Sequence, residues 1–159
     1  MITKITIKRF KRFDHISFDI HSPVLLIGPN NSGKTTALQA LSLWELGLRK
    51  WKEKSSKSSI KSTRRTGASI NRKDLINLPV PAANLLWKNL KVRKQQLKNG
   101  QKKTNNIMIE IIVEGLSNNK TWKCALEFDY NSSEAIYCRP LGIKKDAKKW
   151  DSIQKKPIR

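Results

Sequence analysis

One short motif limits the folds open to this chain more than any other, because residues 28–35 have the form Gly-x-x-x-x-Gly-Lys-Thr of a phosphate-binding loop. The apolar run at 24–27 directly before it is typical of a strand buried on both faces. After it, apolar residues recur at three- and four-residue spacing as far as Leu48, which predicts an amphipathic helix. This order predicts an α/β fold of the P-loop class. The residues expected to bind nucleotide are Gly28, Pro29, Asn30, Asn31, Ser32, Gly33, Lys34, Thr35 and Thr36.

The residue types in this loop suit a triphosphate bound together with Mg²⁺. Gly28 and Gly33 allow the backbone to approach closely, so that consecutive amides can point at phosphate oxygens. Lys34 is expected to reach the β- and γ-phosphates, and the Thr35 hydroxyl is the expected Mg²⁺ ligand. The base-reading sequence Asn-Lys-x-Asp of GTPases is absent. The motif therefore predicts ATP, or a closely related nucleotide, and Mg²⁺ as cofactors.

The rest of the chain divides by periodicity and composition. Alternating apolar residues predict strands at 1–8 and 16–20 and an antiparallel meander over 107–141. Serine- and lysine-rich sequence without periodicity predicts a flexible loop. The predicted organisation is a P-loop core over 1–48, a basic flexible loop over 49–66, a mixed helical and loop insertion over 67–104, a β-meander over 105–143 and a basic, truncated tail over 144–159.

The charge balance points to polyanionic partners. The chain has 33 Lys and Arg against 12 Asp and Glu, a formal net charge of +21. Such a charge attracts DNA, RNA or an anionic surface, and the basic stretches 49–65 and 88–103 could form a non-catalytic nucleic-acid-binding module or only a solvated surface. Cys124 and Cys138 lack metal-ligand spacing and are expected to be reduced core thiols of a cytoplasmic protein. No apolar run approaches the ~20 residues of a membrane span, so no membrane partner is expected.

Residues 2–48 resemble the N-terminal lobe of the ABC-type ATPases of the SMC, RecF and OLD-nuclease group. By the same resemblance the chain is similar to AAA-like ATP-binding proteins of bacteria. That group opens with a strand, a Phe-Arg-x-Phe/His-like turn, a second strand and then Gly-x-Asn-x-Ser-Gly-Lys-Ser/Thr. Here the turn is 10–13, Phe-Lys-Arg-Phe, and Asn30 matches the asparagine of the group. The resemblance implies that Lys11 approaches the nucleotide phosphates, with Arg12 as its substitute; a solvated turn is the alternative for both. It also implies an ATPase acting on DNA, in repair or phage defence, with a possible nucleotide-dependent homodimer.

Two motifs that this group uses for hydrolysis are absent from the sequence. Residues 109–114 look like a Walker B strand but lack its Asp and alternate as an antiparallel strand does. Residues 116–119, Leu-Ser-Asn-Asn, lack the glycines of the Leu-Ser-Gly-Gly signature. We therefore expect no catalytic residue in this chain, which should bind ATP without hydrolysing it. Hydrolysis would need a missing C-terminal lobe or a separate catalytic chain.

Overall fold

The computed structural model describes residues 1–21, 23–57, 67–98 and 101–141. These ranges contain eight β strands, one α helix and three short 3-10 turns. The strands are β1 (Ile2–Phe10), β2 (Phe13–Asp19), β3 (Ala68–Asn71), β4 (Arg93–Lys98), β5 (Gln101–Asn106), β6 (Ile109–Ser117), β7 (Lys120–Ser132) and β8 (Ala135–Pro140). The helix is α1 (Lys34–Lys57), and the 3-10 turns are Arg72–Asp74, Ala83–Leu86 and Lys88–Leu90.

Six of the strands form one antiparallel sheet in the order β2-β1-β6-β7-β8-β3. Ile7 of β1 lies opposite Ile16 of β2 on one side and Ile111 of β6 on the other. The segments 1–48 and 105–143 therefore contribute to the same sheet. The meander predicted over 107–141 is present as β6, β7 and β8, because its period-two pattern matches a sheet with one buried face.

The hydrophobic core lies between α1 and one face of this sheet. Leu43 and Leu46 of the helix are buried against the sheet residues that alternate inward along β6. Gly47 lets the helix come very close, since a Cβ there would lie 2.8 Å from both the Cys138 Sγ and the Phe128 Cε1 atoms. The packing of α1 therefore fixes where its first residue, and with it the P-loop, stands relative to the sheet.

The helix continues beyond Leu48 to Lys57, so the flexible loop predicted from residue 49 is wrong for 49–57. Trp51 extends the apolar face of the helix and is only 2% exposed. Lys50 forms an ion pair with Asp74 at 3.1 Å, and Lys54 donates a hydrogen bond to the Gly67 carbonyl oxygen at 2.5 Å. Tertiary contacts thus outweigh the low apolar content of this segment. The rest of the predicted loop, 58–66, lies outside the described residues.

The buried strand predicted at 24–27 does not form. The segment is irregular, and its side chains are exposed, with Leu25 80% and Ile27 83% accessible. A run without alternation is buried only when both of its faces are covered. In the part of the chain that the structure describes, no strand pairs with this segment and α1 covers the sheet elsewhere.

The insertion predicted over 67–104 contains more strand than expected. It begins with β3, which forms the edge of the main sheet, and ends with most of the two-stranded sheet β4-β5. The helical part predicted for this insertion is present as short 3-10 turns, among them Ala83–Leu86. The tail predicted over 144–159 lies outside the described residues. Among the described helical residues none forms a helix long and apolar enough to cross a membrane.

Candidate functional site

The P-loop leads directly into the first turn of α1. The Ser32 amide donates to the Pro29 carbonyl oxygen at 3.2 Å, and the first helical hydrogen bond runs from the Ala37 amide to the Gly33 carbonyl oxygen at 2.9 Å. The amides of 34–36 precede that bond and have no partner within the helix. They are available to an anion at the positive end of the helix dipole.

The Lys34 side chain folds back over the loop. Its Nζ atom donates to the Gly28 carbonyl oxygen at 2.6 Å and the Pro29 carbonyl oxygen at 2.8 Å, and lies 3.4 Å from the Ser32 Oγ atom. The ammonium group is therefore already held at the mouth of the loop. A phosphate oxygen that enters the loop would replace these carbonyl groups as its partner.

Gly33 lies close to Phe13 of β2. Its φ is +102°, in the region that side chains disfavour, and a Cβ there would lie 2.6 Å from the Phe13 Cζ atom. At Gly28 the φ is +159°, which side chains also disfavour, and the nearest atom to such a Cβ is the Ser32 Oγ at 3.0 Å. The loop therefore needs glycine at position 33 for both torsion and space, and at 28 mainly for torsion.

The basic turn between β1 and β2 lies against the P-loop and α1. Lys11 has a φ of +48°, and its Nζ atom donates to the Gln39 Oε1 atom at 2.7 Å. Burial lowers the pKa of Lys11 from its ordinary value. The Arg12 Nη1 atom donates to the Asn31 Oδ1 atom at 3.3 Å. The structure therefore brings Arg12 to the loop and Lys11 to the second turn of the helix that follows it.

The cleft above the loop is small and polar. It measures about 260 Å³ and is lined by Asn30, Asn31, Ser32, Gly33, Lys34, Thr35 and Thr36. Pockets that enclose a whole drug-sized ligand are typically about 300–1,000 Å³. Thr35 is exposed at this cleft and Thr36 is half-buried. The cleft can thus hold phosphate groups, while the remainder of a nucleotide would extend beyond it.

Neighbouring groups hold the basic turn in place, and two of them were missed by the sequence reasoning. The Lys11 amide donates to the Leu86 carbonyl oxygen at 2.8 Å, and the Lys88 Nζ atom donates to the Arg12 carbonyl oxygen at 2.6 Å. Gln39 and Lys88 acquire their roles only through these tertiary contacts. Gln39 follows Lys34 by five residues, in the second turn of the helix, but nothing in the sequence points to Lys11 as its partner.

Trp87 connects this turn to the strands that follow. It bridges Phe10 in the manner of an antiparallel pair, and its ring stands edge-on to Tyr130 with the centroids 5.8 Å apart. Its Nε1 atom donates to the Ile107 carbonyl oxygen at 2.5 Å. The turn beside the P-loop and the base of the β4-β5 sheet are therefore attached to the same buried residue, one through its backbone and the other through its indole.

Carboxylates on the sheet are occupied by ion pairs. Glu110 pairs with both Arg9 and Lys8, the latter at 2.9 Å. Glu114 pairs with Lys123 at 2.9 Å. Glu127 pairs with Arg139 at 2.5 Å. Among the described residues no group of three or more His, Cys, Asp or Glu side chains is arranged to hold a metal ion. The acidic residues of 109–114 thus serve the sheet and not the cleft.

The two cysteines are free thiols at the interface between α1 and the sheet, consistent with a structural role. Burial raises the pKa of Cys124 to about 11 and that of Cys138 further. The Trp44 Nε1 atom donates to the Cys124 carbonyl oxygen at 3.3 Å. His15 and His21 are exposed, the first of them on the edge strand β2.

Comparison with known proteins agrees with this geometry. The family model described as AAA ATPase domain matches residues 1–157, almost the whole chain. No curated protein matches the chain.

Proposed function

This chain belongs to the AAA ATPase domain family, and we propose that it is the Mg-ATP-binding N-terminal portion of a RecF-, OLD- or SMC-like ATPase that acts on DNA. The observation that carries the proposal is the Lys34 ammonium group, held over the loop by the Gly28 and Pro29 carbonyl oxygens at the start of α1. A cation beside unpaired helix amides matches the charge and the donor geometry that a polyphosphate requires.

The residues present fit the cofactor in chemistry as well as in position. Lys34 and the amides of 34–36 would bind the phosphates, and Thr35, exposed at the cleft, would supply a hydroxyl ligand to Mg²⁺. Bound Mg²⁺ neutralises charge on the phosphates. Lys11 and Arg12 would add positive charge from the side of the basic turn. Lys11 would have to exchange its Gln39 partner for a phosphate oxygen.

Binding without turnover is the expected behaviour of this chain. Hydrolysis requires a carboxylate that positions Mg²⁺ and water near the γ-phosphate. The strand carboxylates Glu110 and Glu114 are paired with cations of the sheet. We propose that a C-terminal lobe or a separate chain supplies the Walker B residues, and that a nucleotide-dependent homodimer forms when it does. The same partner would cover the exposed apolar segment 24–27. A role in DNA repair or phage defence would follow from this grouping.

The test is equilibrium binding of ATP with and without Mg²⁺ to the wild-type chain and to Lys34→Ala. Hydrogen bonds to charged groups contribute about 1.5–3 kcal/mol each. The free lysine gives up its loop carbonyl bonds on binding, so we expect a net loss of about 2 kcal/mol or more, roughly thirtyfold in affinity. Lys52→Ala, an exposed lysine of the same helix, is the matched control and should bind as the wild type does.

Urea unfolding of each variant establishes that it is folded. Unchanged ATP affinity in folded Lys34→Ala would contradict the P-loop assignment. Steady release of phosphate by the wild-type chain, lost in Lys34→Ala, would contradict binding without turnover.

A further inference from the structure

The two-stranded sheet β4-β5, here called the ribbon, is separate from the main sheet. Its side chains at 93–97 and 101–106 are all exposed. A two-stranded sheet without a covered face adds little to the core and is marginally stable alone. The ribbon therefore contributes surface to the molecule and not packing.

The ribbon carries positive charge that nothing on it balances. No Asp or Glu occurs between Asp74 and Glu110 in the sequence. Four cations of the ribbon, Arg93, Lys94, Lys102 and Lys103, make no ion pair with any carboxylate among the described residues. On α1, by contrast, Lys50 is paired with Asp74. The uncompensated charge of the ribbon suits a polyanion.

The strand register groups these cations with amide side chains. Lys94 lies opposite Asn105, and Gln96 lies opposite Lys103, so these four residues share one face of the ribbon. The Asn105 Nδ2 atom donates to the Gln96 Oε1 atom at 3.2 Å. Lysines contact phosphates, whereas Asn and Gln are the amides that pair with base edges in DNA. This face carries both kinds of group and no apolar side chain.

The base of the ribbon is fixed to the body of the protein. The Ile107 amide donates to the Val92 carbonyl oxygen at 2.9 Å, which closes the ribbon at its base. The Asn106 Nδ2 atom donates to the Asp129 Oδ1 atom of β7 at 2.8 Å. The ribbon consequently projects in a defined direction.

We propose that the ribbon docks in the major groove of duplex DNA through the face formed by Lys94, Gln96, Lys103 and Asn105. Six residues per strand extend about 20 Å, and the major groove of B-DNA, about 12 Å wide, admits a two-stranded ribbon. The major groove of duplex RNA is deep and narrow. Single strands are held by stacking on aromatic side chains, which the ribbon lacks. The inference rests on the DNA role under Proposed function and assigns that role to a surface.

The experiment measures binding of the full chain to a duplex of about 20 base pairs, by fluorescence anisotropy between about 50 and 200 mM salt. The test variant is Lys94→Gln/Lys103→Gln. The control is Lys73→Gln/Lys120→Gln, which removes the same charge from two exposed lysines outside the ribbon that pair with no carboxylate among the described residues. We expect the test variant to bind at least about tenfold more weakly and the salt slope to fall by about 2, one unit for each lysine. The control should keep the wild-type slope.

Each result separates the ribbon from the wider DNA role. Equal losses in the two variants, or no loss in the test variant, would overturn the ribbon assignment while leaving DNA binding in place. RNA duplex or single-stranded DNA binding as tightly as duplex DNA would overturn docking in the major groove. If the wild-type chain bound no nucleic acid, the proposed DNA role would be wrong. ATP binding is measured separately, so that result would not decide whether the chain binds ATP.

Discussion

The contact between Gly33 and Phe13 makes the substitution Gly33→Ala a sensitive measure of how the P-loop is held. The added Cβ would lie 2.6 Å from the Phe13 Cζ atom and 2.8 Å from the Phe13 Cε1 atom. Forced overpacking typically costs about 1–3 kcal/mol. The φ of +102° adds backbone strain for alanine, about 1–3 kcal/mol at such a position. We expect Gly33→Ala to lower the free energy of unfolding by about 2–6 kcal/mol, at the lower end if the exposed loop shifts.

A double-mutant cycle in urea separates the two contributions. In a Phe13→Ala background most of the steric part disappears, since only the flexible Arg12 side chain stays close, its Cδ at 3.2 Å. Adding Gly33→Ala there should therefore cost about 1–3 kcal/mol, chiefly the torsional part. Gly28→Ala is the comparison variant, because its φ of +159° is also disfavoured for alanine but a Cβ there would meet only the flexible Ser32 side chain, with the Oγ at 3.0 Å. That variant should lose about 1–3 kcal/mol, the torsional part alone, with or without Phe13. If Gly33→Ala were as stable as the wild type, or equally destabilised with and without Phe13, the reasoning would be refuted.

Two further predictions concern ionisation. Burial alone would raise the pKa of Glu110, but Lys8 and Arg9 outweigh it and hold the pKa below its ordinary value. The carboxylate therefore stabilises the fold above its unfolded pKa, ~4.3, and this stability is lost as the pH falls through the lower, folded pKa. Glu110→Gln should cost about 1–2 kcal/mol at neutral pH and flatten the acid decline in urea titrations; an unchanged decline would disprove the linkage. Cys138 is buried and burial raises its pKa, so its thiol should react with iodoacetamide at neutral pH only after unfolding. Cys124 is half-buried, and burial raises its pKa to about 11, so it should react slowly; rapid alkylation of both thiols in the folded chain would contradict this.

The parts of the fold that could be predicted are those set by local patterns. The meander follows from period-two alternation, and the start of α1 follows from the motif spacing, because each depends on residues close in sequence. The position of the basic turn beside the loop followed from a resemblance, and the functions of Lys11 and Arg12 stay predictions. Gln39 was not predictable as the partner of Lys11, since only the packing of α1 on the sheet brings them together.

The parts that could not be predicted depend on what covers a segment. The helix continues through 49–57 because Trp51 is buried and Lys50 reaches Asp74, although the local composition favours a loop. The run at 24–27 is exposed although its apolar character predicts burial, because none of the described elements packs over it. The sequence does contain one indication of the ribbon. Asn-Gly at 99–100, between the two strands, is the residue pair most typical of tight hairpins. Its strands lack the alternation that would have identified them.

The attachment of Trp87 to both Phe10 and Ile107 has a consequence for the energetics of recognition. A free basic arm loses conformational entropy when it binds, and that loss lowers its affinity. At the base of the ribbon this ordering has already taken place during folding, since the indole and the 107–92 hydrogen bond hold both strands. The span from the phosphate loop to the ribbon is consequently set by the fold. A duplex bound to the ribbon would therefore lie at a fixed distance from a nucleotide bound in the P-loop.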